Sequence, residues 1–383
     1  MKKILVVAMA DSVHAARWLE QFEHSDFEFV LFPSSPHRRI HPKIKHLIST
    51  SSDMKITIPK GLRRTGLLLA SIDKVCGDRV RGYFLRRVIN QGDVEILHAL
   101  ETQGAGYISA VALRKVEKSF FFILTLWGSD LFWFQRFEKH HRKLQELLGH
   151  VDRLSMECQR DVAIAKNLGY VGEIFPPFPV TGGYQLDTEL ESTIITKPSS
   201  RKIILVKGHT RFVGRGLSAL NAVESVKNLL TNYKIVVYSA DPAARRKARA
   251  LSKNSNLKID VYGRGELRHG DLLNLFKQAR IYIGISLSDG ISVSLQEAMV
   301  FGAFPIQTDT SCADEWIVNG ASGFILSSDD PTGIANSLKE ALGNDVLVDS
   351  ASEINMKTAR RRLDQSIVSS ISENFYLNIT SRN

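Results

Sequence analysis

Residues 286–316 read SLSDGISVSLQEAMVFGAFPIQTDTSCADEW, and this stretch decides the fold. In front of it, Ala279–Ile285 is a short apolar, β-branched run that reads as a buried strand, while Ser292–Val300 reads as a helix. Between them lie Ser288, Asp289 and Gly290, where the carboxyl end of a strand meets the amino end of a helix. In an open α/β sheet that junction holds ligands, and the free N–H groups of the first helical turn attract anions. A second unit follows at once: Phe304–Thr308 is a short strand, and Asp314-Glu315-Trp316 is expected near the start of another helix.

Working outward, Ile203–Lys207 is a strand, the next residues Gly208–Gly216 read GHTRFVGRG, and Leu217–Leu230 is a helix. Strand, glycine-rich basic loop and helix suit a diphosphate. Glycines let the backbone come close, and His209, Arg211 and Arg215 supply positive charge. The Gly-Lys-Ser/Thr of a Walker loop is absent. Tyr233–Tyr238 and Leu257–Tyr262 are further strands, the latter running into Gly263-Arg264-Gly265, and helices are expected over Pro242–Leu251 and Asp271–Gln278. The repeated β–α rhythm predicts an α/β, doubly wound domain.

The first half has the same rhythm. Lys3–Met9 and Phe27–Phe32 are strands around a helix through Ala15, Trp18, Leu19 and Phe22, with no GxGxxG at the first turn. Two more buried strands, Val94–Leu100 and Phe120–Leu126, end in polar residues: His98 and Glu101 after the first, Trp127-Gly128-Ser129-Asp130 after the second. A lone His98 reads first as a satisfied core histidine. Gly128-Ser129-Asp130 reads first as a capped strand-to-helix turn, which is compatible with ligand contact. Glu173–Tyr184, with three prolines and a Gly pair, is the best boundary in the chain. The expected division is an N-terminal domain over 1–178, a C-terminal domain over 185–360, and a basic helical segment over 361–383 able to pack back on the first domain.

At 383 residues and 44% apolar content the chain can bury two cores. Three cysteines without metal-like spacing fit a reducing cytoplasm. Ile4–Ala10 has the shape of a first strand more than of a leader, and no stretch approaches the ~18 apolar residues of a membrane span. Between Pro36 and Arg87 stand thirteen Lys and Arg against three acids, an excess equal to the net charge of +10 of the whole chain. Residues 66–89 there are spaced as a helix apolar on one side and Arg-rich on the other. Two readings stand side by side: a surface helix packed on its own domain, and a face for anionic lipid or a phosphate-bearing acceptor. Nucleic acid is disfavoured, because the stretch has few aromatics to stack bases and no recognised motif.

With these residues in view, the chain resembles the retaining glycosyltransferases of the GT-B fold, family 4, the group with an E-x7-E motif. Asp289 and Glu297 have that spacing, and EAMVFGAFPIQT follows the family's glutamate-led helix and proline-containing strand. Glu315, and Gly320 with Gly323-Phe324, resemble its later positions. The likeness spans both halves and is strongest from Ala279 to Leu326. It implies two Rossmann-like doubly wound domains facing across a cleft, and metal-independent transfer of a sugar from a UDP- or GDP-sugar to a glycan or lipid-linked acceptor. Cell-surface polysaccharide or glycolipid synthesis, in the cytoplasm or on the inner face of the membrane, would be the setting. By resemblance, Glu297 holds the ribose and Arg215 the diphosphate, with Gly208 opening the loop and His209 and Arg211 competing for the second cationic role. The N–H groups after Gly290, at Ile291 and Ser292, and the Gly263-Arg264 turn complete the donor side. The resemblance also implies retention, with the leaving phosphate assisting deprotonation of the acceptor hydroxyl.

Three departures stand out. Asp289 replaces the usual first glutamate. The diphosphate loop has His209 and Arg215 where Arg and Lys are usual. Trp127 stands where many members carry a histidine, which shifts acceptor-side weight to Asp130 and His14. The alternative is a GT-B protein that binds a nucleotide sugar without transferring it. An epimerase is disfavoured by the D-x7-E spacing, and a phosphorylase by the lack of a lysine-centred cofactor motif.

Overall fold

The computed structural model describes residues 2–35, 39–50, 54–59, 72–73, 75–180, 182–186, 196–328 and 330–379. The chain forms two compact units, Met1–Gly183 with Gln365–Asn383, and Tyr184–Asp364. The first holds a parallel sheet of β1 (Lys2–Ala8), β2 (Phe27–Pro33), β3 (Lys55–Thr57), β4 (Ile96–Leu100), β5 (Phe121–Thr125), β6 (Arg153–Ser155) and β7 (Glu173–Ile174), in the order β3-β2-β1-β4-β5-β6-β7. Among the described residues up to Gly183 its helices are α1 (Val13–Glu20), α2 (Pro42–Thr50), α3 (Arg79–Gln91), α4 (Tyr107–Leu113), α5 (Glu138–Leu148) and α6 (Gln159–Asn167).

The second unit repeats the plan with β8 (Ile203–Lys207), β9 (Lys234–Tyr238), β10 (Lys258–Val261), β11 (Ala279–Gly284), β12 (Phe304–Thr308) and β13 (Phe324–Leu326), ordered β10-β9-β8-β11-β12-β13 and all parallel. Between the strands run α7 (Gly216–Ser225), α8 (Pro242–Asn254), α9 (His269–Gln278) and α10 (Val293–Val300), and α11 (Pro331–Gly343) and α12 (Asp345–Leu363) follow β13. Both units are therefore Rossmann-like and doubly wound. In each, the strand order reverses once, at β1/β4 and at β8/β11, and such a switch point opens a crevice beyond the strands' carboxyl ends.

Isoleucine, leucine and valine make up most of β8, and β11 is buried along its whole length, because parallel strands are covered on both faces. Side-chain alternation sends Ile204, Val206, Ile281 and Ile283 into one core and Leu205 and Tyr282 into the other, beneath α10. Two buried arginines brace the opposite edge. Arg280, 1% exposed, donates to the carbonyls of Ser199, Ala341 and Leu342 and pairs with Asp345 at 2.7 Å, closing the end of α11. Arg201 donates to the carbonyls of Thr196, Ala279 and Phe301, and burial brings its guanidinium down to about 10.

After Asp364 the chain re-enters the first unit as α13 (Gln365–Leu377). Phe375 and Tyr376 are fully buried among Trp18, Phe22, Phe178 and His98. His98 is a satisfied core histidine, as expected. Its Nδ1 lies 2.6 Å from the Tyr376 hydroxyl and its Nε2 2.7 Å from that of Thr125, while the Trp18 indole donates to Tyr376 at 3.0 Å. Burial lowers the His98 pKa from 6.5 to about 3, so the ring is neutral when folded. The unfolded chain binds this proton more readily, so the stability His98 contributes is present above pH 6.5 and is lost as the pH falls towards 3. Thermal unfolding followed across that range should show the first unit weakening over this window, and a flat profile would contradict it.

Two expectations need correction, those for the basic segment and for Asp314-Glu315-Trp316, and two more gain detail, the final helical region and the boundary, within which the units divide. The amphipathic helix of the basic segment is broken, because Gly77 and Asp78 take φ of 63° and 66°, and α3 starts only at Arg79. Arg81 does not face solvent freely: it pairs with Asp73 and donates to the Ser34 carbonyl. Residues 66–71, with Arg38, Lys60, Arg63, Arg64 and Lys74, lie outside the described residues. Asp314-Glu315-Trp316 starts no α-helix; Ala313–Glu315 is a single 3-10 turn after Cys312 at φ 49°. The final helical region is two helices split at Asp364, whose backbone is extended. The first residues of the Glu173–Tyr184 boundary form the edge strand β7.

Candidate functional site

At the carboxyl ends of β8 and β11 two loops are laced together. The Arg215 N–H donates to the Ile285 carbonyl at 3.0 Å and the Leu287 N–H to the Val213 carbonyl at 2.7 Å. The glycines permit this folding: a Cβ on Gly208 would lie 2.7 Å from Val237 Cγ1, and one on Gly214 2.4 Å from the His209 carbonyl oxygen. Asp241, the N-cap of α8, anchors the loop by accepting from the N–H of Thr210 at 2.8 Å and from its hydroxyl.

The spacing of eight places Asp289 just outside α10 and Glu297 inside it. Asp289 is half-buried, with its carboxylate accepting from the Gly290 N–H at 3.0 Å and its own N–H donating to Thr310 at 3.2 Å. Glu297 is 2% exposed, and its Oε1 lies 2.9 Å from Nε2 of His269, the first residue of α9. Ser292 is the N-cap of α10, yet its side chain does not cap the helix. Instead it accepts from Lys207 Nζ at 3.4 Å. Ile291 is buried in the core beneath α10, so its side chain serves packing.

Cationic groups gather at the same edge. Burial and then Lys207 lower the His209 pKa, with Arg264 and Arg211 adding to this and Asp241 opposing it. Burial also pulls on Lys207, but Tyr282, Asp289 and Glu297 outweigh it and hold its pKa above the usual value. Arg215 donates to its own loop, at 2.9 Å to Gly214 and 3.4 Å to Phe212. Arg264 is exposed in a turn pinned by Glu266, which accepts from the Gly263 N–H at 2.8 Å and pairs with Arg245.

Sequence reasoning missed Lys207 and His269. Strand alternation would have found the first, since Lys207 points to the same side as Leu205, towards α10. Nothing near His269 in sequence foretells its bond to a residue 28 positions on.

In the first unit, Asp130 and Glu101 are loop organisers. Asp130 is 5% exposed and accepts from the N–H groups of Thr102 at 3.0 Å and Trp127 at 2.9 Å. Burial and then Glu101 raise its pKa well above the carboxylate range. Glu101, at φ 80°, accepts from Gly104 at 2.9 Å and Ala105 at 2.6 Å. No α-helix starts at Gly128-Ser129-Asp130; a turn leads to the 3-10 segment Phe134–Arg136. His14, on α1, stacks obliquely on Trp127 with ring centroids 5.2 Å apart.

Comparison with solved structures identifies this architecture as the GT-B fold. Sucrose-phosphate synthase from Thermosynechococcus elongatus superposes with a TM-score of 0.70 at 12% identity, over 98% of each chain. A glycosyltransferase from Rickettsia africae gives 0.69 at 15%, over 99% of each. Anabaena HepE, solved with UDP and glucose, gives 0.70 at 11%, over 99% of this chain and all of its own. Residues 187–361, nearly all of the second unit, match the family model for glycosyl transferases group 1. No curated protein sequence matches the chain.

Proposed function

We propose that this protein is a retaining, metal-independent glycosyltransferase that moves a sugar from a nucleoside diphosphate sugar to an acceptor hydroxyl. One observation carries the reading: on one sheet edge, Asp289 stands before the amino end of α10 and Glu297 within it, beside Lys207 at the end of β8 and a tightly folded glycine loop that bears Arg211, Arg215 and a His209 whose proton is disfavoured. Glu297 would take the ribose hydroxyls, and the helix end with the cations would take the diphosphate. As the glycosidic bond breaks, negative charge grows on the leaving phosphate, and cations fixed beforehand stabilise that state more than the ground state. The leaving phosphate would assist deprotonation of the acceptor hydroxyl. His14 and Asp130 are the candidates to bind the acceptor, and the bond that Asp130 makes to the loop at Thr102 suits a positioning role. UDP- and GDP-sugars are the first donors to try, the former because HepE holds UDP. Offering a set of nucleotide sugars and measuring nucleoside diphosphate release should find at least one that turns over. Binding without release or slow hydrolysis would favour the non-transferring reading.

The acceptor we propose is a glycan or a lipid-linked glycan met at an anionic membrane surface, in cell-surface polysaccharide or glycolipid synthesis. Around α3, Val75 is 88% exposed and Tyr83 and Phe84 stand out beside Arg79, Arg86 and Arg87, so apolar and cationic groups share one region. Among the described residues no helix is long and apolar enough to cross a membrane. Changing Arg79, Arg86 and Arg87 to Glu should abolish co-sedimentation with phosphatidylglycerol vesicles. Arg81 must be left alone because it is tied to Asp73. Unchanged sedimentation would end this part of the reading.

A further inference from the structure

Lys207 occupies an electrostatically odd place. It ends β8, beside the switch point, and reaches under the amino end of α10 to touch the N-cap hydroxyl of Ser292 at 3.4 Å. The amino end of a helix carries about half a positive charge, so a lysine there is unfavourable unless negative charge is near. Two carboxylates meet that need, since Asp289 and Glu297 are among the groups that hold Lys207 protonated. His209 follows at the start of the loop, its own proton disfavoured by burial and by Lys207. Arg215, the loop arginine singled out for the diphosphate, spends donors on Gly214 and Phe212.

From this geometry we infer that Lys207 determines donor specificity: together with the amino end of α10 it makes the site one for a diphosphate and not for a single phosphate. The inference rests on the donor-site reading above and assigns a residue to it outside the loop's own cations. Without Lys207, the charge of Asp289 and Glu297 would act on an incoming phosphate with no half-buried cation at the strand end to offset it. A monophosphate brings less charge and can sit towards His209, Arg211 and Arg264. A second phosphate near the strand end needs the lysine. Charge-assisted contacts in such sites dominate discrimination, because the wrong ligand leaves a buried charge unpaired.

The test measures binding of UDP, GDP, UMP and GMP to the full chain by calorimetry, for the wild type, Lys207→Met and Lys207→Arg. The wild type should prefer the diphosphate of its base. Lys207→Met should cut that preference by about tenfold or more, mainly by weakening the diphosphate, while Lys207→Arg keeps most of it. Equal weakening of mono- and diphosphate, or an unchanged ratio, would overturn the inference while leaving the donor reading intact. A wild type that binds none of the four would instead remove the donor reading, and this role with it. Should Lys207→Met not fold, competition decides: inorganic pyrophosphate should displace the nucleotide from wild type far better than orthophosphate, and equal displacement would count against the inference.

Discussion

Glu297→Ala should cost about a hundredfold or more in donor affinity or turnover, the largest single-residue effect expected at the site. The carboxylate is buried, His269 engages Oε1, and in the proposed donor reading the other oxygen would accept from a ribose hydroxyl. Removing it would leave that hydroxyl and His269 Nε2 short of a partner together, and a desolvated group without its partner costs more than the bond was worth. Glu297→Gln keeps the shape and one acceptor and should recover part of the binding. Arg215→Ala, by contrast, should mainly slow the chemical step. Calorimetry with the diphosphate and steady-state release separate these outcomes, and wild-type rates in Glu297→Ala would remove the site.

A comparably large effect, on stability, should follow from ending the chain at Asp364. The lost segment carries Phe375 and Tyr376, both fully buried, and their removal strips partners from Trp18, Phe22, His98 and Phe178. Deleting one buried aromatic side chain costs about 3–5 kcal/mol, and two exceed half of the ~5–15 kcal/mol that usually holds a domain together. The second unit contains no residue beyond Asp364, so its own core is untouched. Calorimetry of the truncated chain should therefore show one transition where the full chain shows two. Two preserved transitions would mean that α13 is dispensable.

Much of the fold was legible because parallel strands announce themselves. Ile203–Lys207, Tyr233–Tyr238 and Ala279–Ile285 are apolar runs of strand length, and each lies within a residue or so of its observed bounds. The carboxylate pair was legible through its spacing, which helix geometry turns directly into position. What could not be read were contacts between segments distant in sequence. The bond from His269 to Glu297 depends on how α9 packs, and the pairing of Arg81 with Asp73 depends on a left-handed turn at Gly77-Asp78 that interrupts an otherwise helical pattern. The pattern there favoured one long helix because periodicity reports which residues are apolar, and two residues of positive φ change the phase without changing composition.

The return of the chain to its first unit also sets an order of assembly. Lys2 donates to the carbonyls of Tyr376, Leu377 and Ile379, so the first strand is tied to almost the last described residues. A chain made from its amino end can finish the second unit as soon as Asp364 is out, since everything that unit needs is contiguous. The first unit has all seven strands by then but still lacks the helix that covers Trp18 and His98. The half that is made first is therefore the last to close, and until it does, it exposes an aromatic face during synthesis.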